Sequence, residues 1–198
     1  VVGSGLVIAI LIEPLVGVIV SLFVGPLTAW LQIAVPGVPN RWGQAVFALA
    51  VSTWLARGLT RRKISIPTPP LLAPLLAVLV VYLLTLWSPV DAWVGFLELA
   101  KWVQILLIFL ITFQRMRTDA HGRIAGVMVA ALLGAGLLQA VVGLYQFVGR
   151  GEGPEAFLIS GRFYRAYGTF QQPNPYAGFV GMIAAVAVGL SIGRWESW

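Results

Sequence analysis

Apolar runs close to the length of a bilayer crossing, separated by short polar turns, govern what this chain can fold into. A helix needs about 20 predominantly apolar residues to cross the hydrocarbon core, and there every backbone N–H and C=O must be bonded inside its own segment. Runs of this kind lie near residues 42–56, 71–87, 93–113, 124–148 and 175–192, after a longer apolar block over residues 1–35. Composition agrees with the pattern: 59% of the 198 residues are hydrophobic and 10% charged, with a mean hydropathy of +0.91. The predicted fold class is all-α, a polytopic transmembrane helical bundle of about six spans, forming a single transmembrane helical domain over residues 1–198. The first block is too long for one span and too short for two. Either residues 6–24 cross and Gly25-Pro26 ends the helix, or residues 15–35 cross and the first residues lie along the interface. Glu13-Pro14 divides the block in a place that leaves both readings open.

A net charge of +6 would suggest a nucleic-acid partner in a soluble protein. Here the basic residues instead fall in short clusters between apolar runs: Arg57, Arg61, Arg62 and Lys63, then Arg115, Arg117 and Arg123 around His121, then Arg194. Such clusters mark cytoplasmic loops, so both ends of the chain are expected in the cytoplasm and residues 88–91 and 149–172 outside. Membrane lipids are expected partners and nucleic acid is not. The eight tryptophans lie mainly near span ends, as interfacial anchors do. The absence of cysteine excludes disulfides, thiol nucleophiles and thiolate metal sites. The first residues lack the basic region and cleavage site of a signal peptide, and the missing initiator Met predicts a trimmed chain.

The segment from Arg165 through Gly168, Thr169, Pro173, Asn174 and Pro175 to Gly178 joins an arginine and turn formers to the start of an apolar run. Asn174 is a good N-cap and Pro175 suits the first helical turn, so the helix is expected to begin there and aim its unpaired N–H groups back at the loop. A phosphate fits such a helix end. Arg150, Arg162 and Arg165 all lie in the outer loop, against the positive-inside tendency. Arg150 and Arg162 are expected to snorkel to lipid phosphates. Arg165 is a candidate for function because Gly168 nearby permits close backbone approach. In the 93–113 run, Glu98 and Lys101 share a helix face at i, i+3 and can pair with each other; alternatively, Lys101 lies beside Arg165 around one phosphate.

Other residues carry less. His121, Glu152 and Glu155 are expected to be solvated loop residues. Gly122, Gly126, Gly134, Gly136, Gly178 and Gly181 are expected to be close-packing points between helices, since no strand precedes them as a dinucleotide fingerprint requires.

The order of these features resembles the O-antigen ligase and polymerase family of bacterial inner membranes. The resemblance rests on a run holding Glu98, Lys101 and Trp102, a run ending in Gly143-Leu-Tyr-Gln-Phe147, and Gly168-Thr-Phe ahead of Pro173-Asn174 and Ala177. It implies an integral-membrane glycosyltransferase of GT-C-like architecture. The enzyme would move a glycan from undecaprenyl diphosphate to an acceptor glycolipid such as lipid A-core, to another glycan or to a protein, on the periplasmic face. By resemblance Arg165 and Lys101 are the catalytic cations at the diphosphate, and Gly168, Thr169, Pro173, Asn174 and Glu98 contribute to substrate binding, with no metal and no cofactor. Family members are longer and carry a second arginine and a histidine base further along. On that basis the chain is expected to be an N-terminal half, inactive alone. Two other classes remain: a transporter of a small anion, which would need a site near the midplane open to both faces, and a non-catalytic membrane subunit with the outer loop as a docking surface.

Overall fold

The computed structural model describes residues 2–34, 42–60, 68–86, 92–150 and 153–195. These residues are mostly helical, with one short β-hairpin. In chain order the helices are α1 (Val2–Ile12), α2 (Pro14–Ala34), α3 (Trp42–Thr60), α4 (Leu72–Thr85), α5 (Ala92–Arg117) and α6 (Arg123–Leu144). A π-helical segment, Tyr145–Arg150, continues α6. A 3₁₀ turn (Glu155–Phe157), strands β1 (Leu158–Ile159) and β2 (Phe163–Tyr164), and α7 (Pro173–Trp195) complete the order. The expected outer segment 88–91, and Arg61, Arg62, Lys63 and Glu152, lie outside the described residues.

Among the described residues, three helices are long and apolar enough to cross a membrane: Trp93–Arg117, Arg123–Gly149 and Pro173–Gly193. These coincide with the last three expected spans. The earlier three expectations are met by helices, but the apolar stretches described there are shorter. At 14 residues α4 is about 21 Å long, less than the hydrocarbon thickness of about 30 Å. The opening block resolves into two helices broken at Glu13, and α2 runs on through Gly25-Pro26 to Ala34. Its limits therefore follow the 15–35 reading. The interior proline is tolerated, as prolines in apolar spans commonly are.

The chain forms two compact units, residues 1–18 with 48–124, and residues 19–47 with 125–198. In the first, Ile10, Leu15, Val18, Ala50, Leu110 and Ile111 are buried. Gly17 allows the close approach: a Cβ there would stand 2.6 Å from that of Ala50. The break at Glu13 has a specific chemistry. Its carboxylate accepts the Leu15 N–H at 3.2 Å, capping α2, while Pro14 takes the first helical position where no N–H is needed. The same carboxylate accepts Arg115 Nε–H at 3.0 Å and pairs with Arg115 Nη2. On the preceding residue of α5, Gln114 Oε1 accepts the Trp54 indole N–H at 2.6 Å. Arg115, expected only as an orientation signal, is thus also a structural clasp. At the α5–α6 turn, Asp119 Oδ2 accepts the Ile124 N–H at 2.6 Å and Oδ1 accepts the His121 N–H at 3.2 Å. These bonds, the Ile124 one foremost, hold the Asp119 carboxyl below its ordinary 3.8.

The second unit is built on α6 and α7. Gly136 lets Ile183 of α7 sit against α6, since a Cβ at Gly136 would meet Ile183 Cγ2 at 2.5 Å. The expected glycine packing thus holds at Gly136. It does not at Gly126, Gly178 and Gly181, which face open space, nor at Gly122, which turns the chain at φ +65°.

Candidate anion site

Two glutamines of the α6 segment hold the loop that leads into α7. Gln139 and Gln146 are seven residues apart, two helical turns, and are only 2% and 7% exposed. Gln139 donates Nε2–H to Thr169 Oγ1 at 2.7 Å, and its Oε1 accepts the Thr169 N–H at 3.1 Å. Gln146 donates to the Gly168 carbonyl at 2.9 Å, and its Oε1 accepts the N–H groups of Gly168 at 2.8 Å and Tyr167 at 3.1 Å. Each amide uses both its donor and its acceptor, and the Gly168 and Thr169 groups it serves are buried. Apolar side chains at 139 and 146 would remove these bonds.

Two glycines make the fit possible. The Tyr176 ring, from the first turn of α7, occupies the space where side chains at Gly143 and Gly168 would be. Gly168 also has φ +55°, a left-handed conformation costly for other residues. A Cβ there would lie 2.6 Å from Gln139 Oε1. Glycine at 168 is therefore required twice, by its φ and by the space.

Arg165 sits three residues ahead of this clamp. Its N–H donates to the Phe157 carbonyl at 2.9 Å, and the rings of Phe157 and Tyr167 pack with centroids 5.6 Å apart. The backbone is thus fixed on both sides of Arg165. The Arg165 side chain is exposed, and it forms no ion pair with a carboxylate among the described residues. Of the other expected binding residues, Gly168 and Thr169 are buried and occupied by the glutamines, Pro173 is half-buried, and Asn174 is exposed.

The helix start differs from expectation. The Tyr176 N–H donates to the Gln172 carbonyl at 3.4 Å, and α7 begins at Pro173. Gln172, not Asn174, therefore holds the cap position, and Asn174 is the second helical residue. The first and third, Pro173 and Pro175, have no N–H. Of the first three helical residues only Asn174 can offer a backbone donor, so this helix end contributes its dipole and one N–H rather than a full set. An anion at this loop would depend chiefly on Arg165.

Lys101 belongs to the first unit and Arg165 to the second. Lys101 pairs with Glu98 as the i, i+3 spacing predicts, with side-chain exposures of 64% and 45%. Glu155 and His121 are exposed. Among the described residues no three His, Cys, Asp or Glu side chains gather as a metal site would need.

Sequence reasoning did not assign Gln139, Gln146 or Tyr176 a role, although a signal exists. Two amides one heptad apart in a run otherwise apolar need partners, and the partners must come from another segment.

No family model, characterised protein or solved structure matches the chain. The family resemblance therefore rests on the residues themselves.

Proposed function

We propose that this chain carries the diphosphate grip of an O-antigen ligase-like glycosyltransferase. In this reading six spans form a GT-C-like bundle in a bacterial inner membrane, with both ends of the chain cytoplasmic and the loop around Arg165 periplasmic. The donor is a glycan on undecaprenyl diphosphate, and the acceptor a glycolipid, a glycan or a protein. The acceptor hydroxyl gives its proton to a base, by resemblance the histidine that family members carry further along, and attacks the anomeric carbon; the bond from that carbon to the diphosphate oxygen breaks, and negative charge accumulates on the departing lipid diphosphate. A guanidinium suits that charge because it stays protonated and presents paired N–H donors to phosphate oxygens. Holding the backbone that carries it before the reaction reduces the reorganisation needed as the charge develops.

The observation that carries the reading is the placement of Arg165: an exposed guanidinium with no carboxylate partner among the described residues, on a backbone held by Phe157 on one side and by the Gln146 clamp on the other. Asn174 adds one N–H, and Gly168, Thr169 and Pro173 shape the loop. By resemblance Lys101 is a second cation of this chemistry, and in the structure it pairs with Glu98.

The test measures binding of an undecaprenyl diphosphate glycan and transfer to an acceptor for the wild type, Arg165→Ala, Arg165→Lys and Lys101→Ala. Loss of an electrostatic stabiliser of this kind costs about 10²–10³-fold in rate. Arg165→Lys is expected to recover only part of that, because an ammonium lacks the paired donors. Transfer and binding unaffected by Arg165→Ala in folded protein would remove the proposal and leave a docking subunit or an anion transporter.

A further inference from the structure

The loop carries a second feature that the diphosphate does not use. Strands β1 and β2 pair Leu158 with Tyr164 and Ile159 with Phe163. Their turn has positive φ at Ser160 (51°) and Gly161 (68°), the twist-matched geometry of tight hairpins, and the Arg162 N–H closes it on the Ile159 carbonyl at 3.0 Å. This two-pair hairpin has little burial of its own: Leu158, Ile159 and Phe163 are 40%, 40% and 54% exposed. Isolated hairpins of this size are marginal in water.

What supports it is the end of α6. The Phe163 ring stacks on Phe147 with centroids 5.7 Å apart. Phe147 is third from the end of the candidate span Arg123–Gly149, whose 27 residues extend to about 40 Å, beyond a hydrocarbon core of about 30 Å. With α6 as a span, Phe147 falls where hydrocarbon meets headgroups. Ile159 is the cross-strand partner of Phe163, so it shares the face turned to Phe147. The exposed Leu144, Tyr145 and Val148 make the surrounding surface of the span apolar as well. Hairpin and span end thus form one continuous apolar surface at the membrane boundary, with the exposed Arg162 at its edge.

We propose that the hairpin is a membrane anchor inserted into the leaflet where α6 ends, with Ile159 and Phe163 below the headgroups and Arg162 on the phosphate of an anionic lipid. Aromatic and aliphatic side chains with a flanking arginine are what a lipid interface takes up. The proposal rests on α6 being a span and does not depend on the transfer chemistry.

The chain has no cysteine, so a single introduced one is a unique labelling site. Nitroxide labels at Ile159→Cys, Phe163→Cys and Leu158→Cys, with Glu155→Cys as the solvent reference, report depth in lipid nanodiscs through relaxation by oxygen and by a water-soluble nickel complex. At 159 and 163 the expected result is oxygen-accessible and nickel-protected, at 155 the reverse. Using two positions on the inserted face guards against loss of the Phe163–Phe147 stack in one variant. Adding Arg162→Gln to the 159-labelled protein is expected to move the label towards water in phosphatidylglycerol discs and not in phosphatidylcholine discs. Nickel access at 159 and 163 equal to that at 155 overturns the insertion. So does protection from both reagents, which would mean that protein covers the hairpin. An unchanged depth on Arg162→Gln in phosphatidylglycerol overturns the lipid-phosphate contact.

Discussion

Replacing Gln146 with leucine tests the loop clamp most directly, since leucine is of similar bulk and removes only the amide. Three groups lose their bond to Gln146: the Gly168 carbonyl, the Gly168 N–H and the Tyr167 N–H. Gly168 is buried, whereas Tyr167 is half-buried and can recover a water. Two buried groups at about 1–3 kcal/mol each give about 2–6 kcal/mol against the docked loop. At about 1.4 kcal/mol per factor of ten, the open state becomes about 30-fold to 10⁴-fold more populated, up to the ceiling of global unfolding. Amide hydrogen exchange followed by mass spectrometry over the peptide containing residues 165–170, in nanodiscs, reads this population. The Tyr167 and Gly168 amides are expected to exchange faster by at least an order of magnitude, while the middle of α6 stays protected. Exchange within threefold of wild type would refute the reasoning and mean that the Tyr176 packing holds the loop without the glutamine. Gln139→Leu is the companion, with its effect centred on Thr169.

At Gly143, alanine would place a methyl on the Tyr176 hydroxyl and ring, and overpacking of this kind costs about 1–3 kcal/mol. The thermal midpoint is expected to fall in Gly143→Ala and to recover in part in Gly143→Ala/Tyr176→Phe, which removes the hydroxyl; strictly additive effects would count against the contact. The Asp119 carboxyl is held below 3.8, chiefly by the Ile124 N–H. Its contribution is therefore present above the unfolded aspartate range and lost as pH falls through the lower folded value. The Ile124 amide resonance in an NMR titration is expected to shift with a midpoint below 3.8, and Asp119→Asn is expected to abolish that titration.

Hydropathy located α5, α6 and α7 well because a span needs only length and apolarity, and both are written locally in the residues. Where α7 begins depended on competition between neighbours. Asparagine is the better N-cap by preference, but Pro173, with its fixed φ and no N–H to satisfy, takes the first helical position and moves the cap to Gln172. The division at Glu13 was visible as an anomaly, an acid and a proline in an apolar block. Its resolution was not, because the partner Arg115 is 102 residues away. The same holds at the candidate site. Arg165 could be singled out by type and neighbourhood, whereas the roles of Gln139 and Gln146 depend on which backbone groups the loop brings to them. Lys101 paired with Glu98 as periodicity predicts, because i, i+3 spacing needs no tertiary information.

The sequence distances in these two clasps also set an order of assembly. Gln146 reaches Gly168 across 22 residues, whereas Arg115 reaches Glu13 across 102. If ring closure costs grow as (3/2)RT ln n, the longer closure is about 1.4 kcal/mol less favourable. Synthesis adds its own asymmetry. Glu13 is made early, with only the Leu15 N–H at hand, and must wait for α2, α3, α4 and α5 before its arginine exists. The glutamine clasp, by contrast, closes as soon as the loop following α6 has been made. The clasp at Gly168 can therefore form on local information, while the one at Glu13 stays open until α5 has been made.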